Sequence, residues 1–335
     1  MNRSRLTEEF EVGSFGSGGE LAVLSGFVHP VRGPVVCPAA RLVAGWLGRR
    51  GVACRVVEGG SLPAGRGGRL HATTYLDLDG SVTGIAVVAP TAPASLAAAE
   101  AVRVWSATLR TRRVIVCAAE PDCGNGAGFP AQRPERFRGS AQCAGAAATA
   151  ATVRQYLERG DTVLALGAEG GWEGCVPVVD VSGARALQVG DPERLSFVQR
   201  PCAPVEEVAG ILAVLRARFP MLRGQHPDQW CYRSSDRGRG IRAVVESSDL
   251  VLASEGDLPG PRSVTFGGLE SLTPELLAPV ATLGVIAPLR VGAAGGDATD
   301  AVIDVVGGLG PLSVVHHRSV TSVRSDVHAR ASRGS

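Results

Sequence analysis

The chain has no lysine: all 34 of its lysine-plus-arginine positions are arginine. Beside abundant alanine, glycine and valine, that reads as a bias of composition rather than a functional choice. There is no CxxC pair, which excludes an ordinary zinc ribbon or ferredoxin signature. No run of ~18 apolar residues occurs, so no membrane-spanning helix is expected. The formal net charge is only +2, so nothing in the balance points to nucleic acid. The first twenty residues are polar and rich in Gly and Ser, without the apolar core of a secretory leader. A cytoplasmic location is therefore expected. Eight cysteines in such a chain read as reduced thiols or metal ligands rather than a disulfide framework.

Three of those cysteines open the same short phrase. After Cys143 come apolar Val153, Tyr156 and Leu157, then Asp161 and the run Thr162-Val163-Leu164-Ala165. After Cys231, at the same offsets, come Ile241, Val244 and Val245, then Asp249 and Leu250-Val251-Leu252-Ala253. Cys37 starts a shorter version, with Leu42, Val43, Trp46 and Leu47, then Gly51 and Ala53-Cys54-Arg55-Val56-Val57. The i, i+3, i+4 spacing predicts a helix, and the β-rich run predicts a buried strand. The fold class expected is α/β, with three pseudo-equivalent lobes arranged as a trefoil around a central metal-cluster site.

The chain is long enough for two or three lobes. Residues 1–20 read as a flexible leader and 318–335 as a polar tail. Lobe 1 is placed at 21–142, with an irregular Gly-, Pro- and Arg-rich insertion at 120–142. Lobe 2 is placed at 143–230 and lobe 3 at 231–317. Between the termini strands and helices alternate, the pattern of parallel sheets. Strands are expected at 21–24, 85–88, 114–117, 163–166, 176–179, 250–253, 264–266, 285–287 and 312–315. Further helices are expected at 95–108 and 205–219, the latter stopped by Pro220.

A thiol at a helix start faces unpaired backbone N–H groups and the positive end of the helix dipole, both of which favour the thiolate. Three such thiolates hold three corners of a 4Fe–4S cube and leave one iron open. Against this stands the ordinary role of a cysteine near a helix start, a small buried apolar residue. Cys54 and Cys117 read as core. Cys123 is either a fourth ligand or an incidental thiol, and Cys175 and Cys202 receive no role.

The stretch Glu193-Arg-Leu-Ser-Phe-Val-Gln-Arg, the helix ending Arg218-Phe219-Pro220, and Trp230-Cys231-Tyr232-Arg233-Ser234-Ser235-Asp236-Arg237 resemble the 4-hydroxy-3-methylbut-2-enyl diphosphate reductase family. The cysteine unit that opens at Cys143, and His29-Pro30-Val31-Arg32-Gly33-Pro34-Val35-Val36-Cys37, are similar to its other two cysteine regions. The resemblance is best over 143–255. It implies a three-lobed fold, a 4Fe–4S cluster on Cys37, Cys143 and Cys231, and reductive dehydroxylation of an allylic diphosphate in isoprenoid precursor synthesis. It also implies an electron donor such as ferredoxin or flavodoxin; from charge and hydropathy, neither nucleic acid nor membrane is expected as a partner.

The pocket departs from the family pattern. Where the family carries two histidines and a relay acid, this chain has Gly167-Ala168-Glu169-Gly170-Gly171-Trp172-Glu173, which keeps only the acid. Glu173 is thus the candidate catalytic proton donor. The family's diphosphate loop is replaced by a stretch with Glu255 and Asp257, and Asp236 stands where the family has an amide. Candidate substrate-binding residues are Ser234, Ser235, His71 and Thr299, with Arg200, Arg233, Arg237 and Arg262 as possible compensating cations. Three functions are open: the family's reductase with a degenerate diphosphate pocket, a 4Fe–4S protein acting on another substrate, and a non-catalytic scaffold or binding protein.

Overall fold

The computed structural model of the protein describes residues 5–13, 19–58, 60, 62–63, 65–118, 144–167, 173–255, 259–292 and 295–323. The fold is α/β, as expected, and the described residues form three sheets. The chain divides into two compact units, one formed by Met1–Ala119 with Ile241–His317, the other by Glu120–Gly240 with Arg318–Ser335.

The first unit opens with strands β1 (Leu6–Val12), β2 (Leu21–Leu24), β3 (Gly26–His29), β4 (Gly33–Val36), β5 (Cys54–Val57), β6 (Gly68–Leu76) and β7 (Val82–Ala89). They form a mixed seven-stranded sheet ordered β1-β6-β7-β2-β5, with the β3–β4 hairpin attached to β7. Alternation of strands and helices predicts parallel sheets, but here β1–β6, β6–β7 and β2–β7 all pair antiparallel. The reason is local: a short turn at Asp77–Ser81, with Gly80 at φ 83°, folds β6 back on β7 with no crossover helix. Helices α1 (Ala40–Arg49) and α2 (Ala92–Ser106) follow β4 and β7.

Within the stretch expected as a flexible leader, Leu6–Val12 form strand β1. Leu6, Glu8, Phe10 and Val12 alternate with exposed Thr7, Glu9 and Glu11. The inward Glu8 breaks the apolar rhythm that marks a strand in the sequence. Its carboxylate accepts a hydrogen bond from Nε2–H of buried His29 at 2.7 Å, while His29 Nδ1 accepts from the Val31 and Arg32 amides.

Strand β8 (Arg112–Cys117) joins a five-stranded, all-parallel sheet ordered β14-β13-β15-β8-β16. Its partners β13 (Leu250–Ala253), β14 (Ser263–Thr265), β15 (Thr282–Ile286) and β16 (Leu312–His317) come from late in the chain. The third sheet thus includes a strand from upstream of the expected first boundary. Helices α7 (Pro274–Leu277) and α8 (Thr299–Gly307) lie between these strands in the chain. A core with Trp46, Trp105, Leu252, Phe266 and Leu283 packs against both sheets of this unit.

In the second unit β9 (Thr162–Leu166), β10 (Cys175–Val178), β11 (Leu195–Gln199) and β12 (Arg223–Gly224) form a parallel sheet ordered β10-β9-β11-β12. Helices α3 (Ala144–Glu158), α4 (Val181–Ala186) and α5 (Val205–Arg218) belong to it, and α6 (Arg233–Glu246) begins in it. Strand β11 is buried along its whole length, as a central parallel strand covered on both faces must be. Val208, Ile211, Leu212 and Leu215 of α5 pack on Leu164, Leu166 and Phe197.

The repeated phrase has a structural reason. Each of its aspartates ties the start of its strand to the neighbouring strand. Asp161 accepts from Ser196 Oγ at 2.6 Å and from Arg159 at 2.5 Å. Asp249 accepts from the amides of Ala281 and Thr282 at 2.9 and 2.8 Å.

Candidate thiol site

Strands β11 and β12 are parallel neighbours, so the chain leaves both at the same edge of the sheet. In open α/β sheets this carboxyl edge is where ligand sites form. After β11 comes Arg200-Pro201-Cys202-Ala203-Pro204, then α5. After β12 come a 3-10 turn at Pro227–Gln229, then Trp230, Cys231 and α6. The two loops bring Cys202 and Cys231 together, with their Sγ atoms 3.9 Å apart.

Several bonds fix that approach. Ser234 Oγ donates to the Cys202 carbonyl at 2.5 Å. Ser235 Oγ accepts from the Val205 amide at 2.8 Å and donates to Glu206 Oε2 at 2.6 Å. The start of α6 is thereby stapled to the start of α5. Cys202 has φ 63°, the left-handed region, and is the one non-glycine there among the described residues. Such a backbone costs of order 1–3 kcal/mol and persists only where its surroundings hold it. Gln199, 2 % exposed, donates from Nε2 to the Ala203 carbonyl, while its Oε1 is buried without a partner. Trp230 Nε1 is likewise buried without a partner.

The electrostatics favour a thiolate on Cys231. Its pKa is held down to about 5, most strongly by the hydrogen bond from the Cys202 thiol. Burial opposes this, while the backbone N–H groups of Arg233 and Cys202 and the Arg233 charge support it. Cys37 sits in the opposite environment. It is 1 % exposed in an apolar core, and burial pushes its thiol up to about 12. Cys143 lies outside the described residues, as do the insertion at 120–142 and Cys123. Among the described residues no three His, Cys, Asp or Glu side chains gather as a metal site. The donor chemistry of Cys231 fits a thiolate ligand; Cys37, buried among apolar side chains, is held as the thiol in the absence of a metal.

Ser234 and Ser235 serve the staple just described. Thr299, 7 % exposed, donates from Oγ1 to Asp297 at 2.6 Å and accepts from the Leu289 amide. His71 is a buried residue of β6: Nε2 meets Ser95 Oγ at 2.6 Å, and Nδ1 lies 3.6 Å from Glu9. Burial, the largest influence, lowers its pKa. It borders a groove of about 360 Å³ with Arg5, Glu9, Thr73 and Arg103. Glu173 is exposed in the turn before β10, and residues 168–172 beside it lie outside the described residues. Asp236 is buried and accepts both the amide and the hydroxyl of Thr321, at 2.9 and 2.5 Å. Glu255 is exposed, and Asp257 lies outside the described residues. Cys54 donates to the Ala44 carbonyl, and Cys117 lies in an apolar core with Val244, Val251 and Ile286.

Sequence reasoning assigned nothing to Cys202. Two signals pointed to it: the flanking prolines, which constrain the turn, and its place just past the end of a buried strand.

No family model matches the chain. Several curated proteins do, all 4-hydroxy-3-methylbut-2-enyl diphosphate reductases. That of Phenylobacterium zucineum is 30 % identical over 129 residues, 34 % of this chain and 41 % of that protein. That of Chromohalobacter salexigens is 28 % identical over 123 residues, 33 % and 39 % respectively. That of Gluconobacter oxydans is 34 % identical over 73 residues, 22 % of each. The chain thus spans between about a fifth and two fifths of the length of these relatives. Among solved structures, the E-1-hydroxy-2-methyl-but-2-enyl-4-diphosphate reductase of Plasmodium falciparum matches with a TM-score of 0.40 and 12 % identity. It covers 55 % of this chain and 65 % of that one. The resemblance read from the sequence is borne out: over part of its length the chain is similar to these reductases.

Proposed function

We propose that the protein is a diverged iron–sulfur oxidoreductase of this reductase type. Cys37, Cys143 and Cys231 would hold a 4Fe–4S cluster, and an electron donor such as ferredoxin or flavodoxin would feed it. When bound, such a cluster supplies electrons one at a time and an iron corner open to a substrate oxygen. The observation that carries this reading is Cys231: a half-buried thiol at the start of α6, held as a thiolate, inside the segment that most resembles the reductases.

The test is iron content and visible absorption after anaerobic purification. Bound iron, lost when Cys37, Cys143 and Cys231 are all changed to Ser, is the expected result. Iron content unchanged in that triple variant would falsify the three-cysteine assignment, and a wild-type protein without iron would leave a non-catalytic scaffold. Anaerobic turnover of the allylic diphosphate then separates the family's own reaction from one on another small molecule.

Glu173 is proposed as the proton donor, on its match to the family's relay acid. Loss of a general acid costs ~10²-fold or more. Glu173→Gln is therefore expected to lower turnover by about that factor with iron content unchanged. A variant as active as the parent would remove Glu173 from the reaction.

A further inference from the structure

The face of the seven-stranded sheet that α2 covers carries a polar row. On β7 that face is apolar, with Ile85, Val87 and Ala89 in one core with Ala98, Val102 and Trp105. His71 of β6 lies opposite Val87, and Glu9 of β1 lies opposite His71, so the three share the face. Ser95, near the start of α2, meets His71 from the helix: its Oγ lies 2.6 Å from Nε2. On the other side of the ring Glu9 Oε2 lies 3.6 Å from Nδ1, and Arg69 donates to Glu9 Oε1. A nucleophile, a base and an orienting carboxylate thus stand in line, as an activated serine requires. The Nδ1 contact is longer than a hydrogen bond; such contacts are often long without substrate and tighten when it binds. A histidine that only fastened α2 to the sheet would need no carboxylate behind its ring. Burial lowers the His71 pKa, against the pull of Glu9, and so keeps the ring neutral and able to accept a proton at pH 7. The groove of about 360 Å³ beside His71 runs along α2 past Ala99 and Val102, an apolar wall suited to a short acyl chain. Ser95 is partly exposed one turn before Ala99. Thr7 Oγ1 and Thr73 Oγ1, also on the groove, are 3.0 Å apart; one donates to the other, and the second hydroxyl proton is left for a substrate carbonyl.

We propose that Ser95, His71 and Glu9 form a hydrolytic triad that cleaves short-chain carboxylic esters bound in this groove. Ser95 Oγ attacks the ester carbonyl carbon while its proton passes to His71 Nε2. The tetrahedral intermediate collapses as the bond to the alcohol oxygen breaks. That oxygen takes the proton from Nε2, the alcohol leaves, and the acyl group stays on Ser95. A water then gives a proton to Nε2 and its oxygen bonds to the acyl carbon. The Ser95 ester bond breaks, Oγ recovers the proton from Nε2, and the carboxylic acid is released. One ester and one water become one acid and one alcohol, with no change of oxidation state. Glu9 is a positioning residue: its carboxylate turns Nδ1–H toward itself and stabilises the imidazolium. All three residues lie outside 143–255, where the resemblance is best, so the inference does not rest on the reductase reading.

The test uses the full chain, with a fluorophosphonate as the serine label and p-nitrophenyl acetate as the ester. Mass spectrometry should find the label on Ser95 of the folded protein and not on the chain unfolded in urea. Ester turnover should fall ~10²-fold or more in Ser95→Ala and in His71→Gln. Alanine suits a helix, so Ser95→Ala keeps the proposal testable should His71→Gln prove unstable to urea. The pH profile separates a triad from a mere fastening. The charged groups that face the His71 ring are Glu9 from β1 and Arg69 from β6; Val87 of β7 carries no charge, and Arg103 of α2 pairs with Glu100. The wild-type rate should be level near pH 7 and fall with acid below the ordinary histidine value of about 6.5. In Glu9→Gln turnover should drop ~10-fold or more, and the acid limb should move to lower pH, because the Glu9 charge that raises the His71 pKa is gone. The proposal is overturned if Ser95 stays unlabelled in the folded wild type, if Ser95→Ala hydrolyses the ester as fast as the parent, or if Glu9→Gln keeps the parent's rate and pH profile.

Discussion

At the scale of single residues, two cysteines of one chain are driven in opposite directions by their surroundings. Cys231 is held down to about 5, chiefly by the Cys202 thiol, while burial alone pushes Cys37 up to about 12. Burial, the first influence in each case, also raises Cys54 and Cys175. Only the thiolate alkylates. Iodoacetamide should therefore modify Cys231 at pH 6 to 7, and its rate should fall as the pH drops through about 5. Cys37, Cys54 and Cys175, all raised by burial, should react only in alkaline solution. In Cys202→Ser the Cys231 profile should move to higher pH. A Cys231 profile no different from that of Cys175 would show that the pair does not exist in solution. The helix-start argument made Cys231 legible in the sequence, since backbone donors follow from position alone. The stronger influence, Cys202, was not legible: the contact joins loops after two neighbouring strands, and no spacing reports which strands are neighbours.

At the scale of elements, the sequence was most readable where strands are buried on both faces. The runs at 163–166 and 250–253 are continuous and apolar, and β9 and β13 lie there. The helix expected at 205–219 is α5, with Val208, Ile211, Leu212 and Leu215 inward. Strand β1 was hidden because a glutamate occupies an inward position, made tolerable by a histidine from β3. The repeated aspartates carry a testable consequence. Asp161 is held below the usual carboxylate range, first by its hydrogen bond from Ser196, with burial opposing this and Arg159 adding to it. Asp249 is held below it by the Thr282 and Ala281 amides. A depressed folded-state pKa means stability that is present above the ordinary carboxylate pKa of ~4 and lost as the pH falls through the folded value. Urea denaturation at pH 7 and pH 3 should show the wild type losing stability on acidification, and Asp161→Asn losing less between the two. The effect of Asp249→Asn should be smaller, because that carboxylate is exposed and screened. Equal pH dependence in all three proteins would refute the assignment.

At the scale of the whole molecule, the question is whether the chain binds the substrate of the reductases it resembles. A diphosphate needs several converging donors. The hydroxyls that match the family by position are already engaged inside the protein. Ser234 donates to Cys202, Ser235 to Glu206, and Thr299 to Asp297. Each would have to break an internal bond to reach a phosphate, and a buried acceptor left unmatched costs about 1–3 kcal/mol. Asp236, at a position where the family has an amide, adds a buried carboxylate that repels an anion. Calorimetry on cluster-loaded protein with the allylic diphosphate should therefore show a Kd of ~1 mM or weaker, about 4 kcal/mol of binding. Ser235→Ala then serves as the discriminating variant. As a staple between α5 and α6, it should lower the stability to urea by about 1–2 kcal/mol, from two lost hydrogen bonds in a largely buried site. As a phosphate donor, it would instead raise KM tenfold or more with stability intact. Micromolar binding by the wild type, lost in Ser235→Ala without loss of stability, would restore the plain reductase and show that the internal bonds give way to substrate. Weak binding with a destabilised variant is the expected pair of results, and it would direct the search to small molecules that carry no diphosphate.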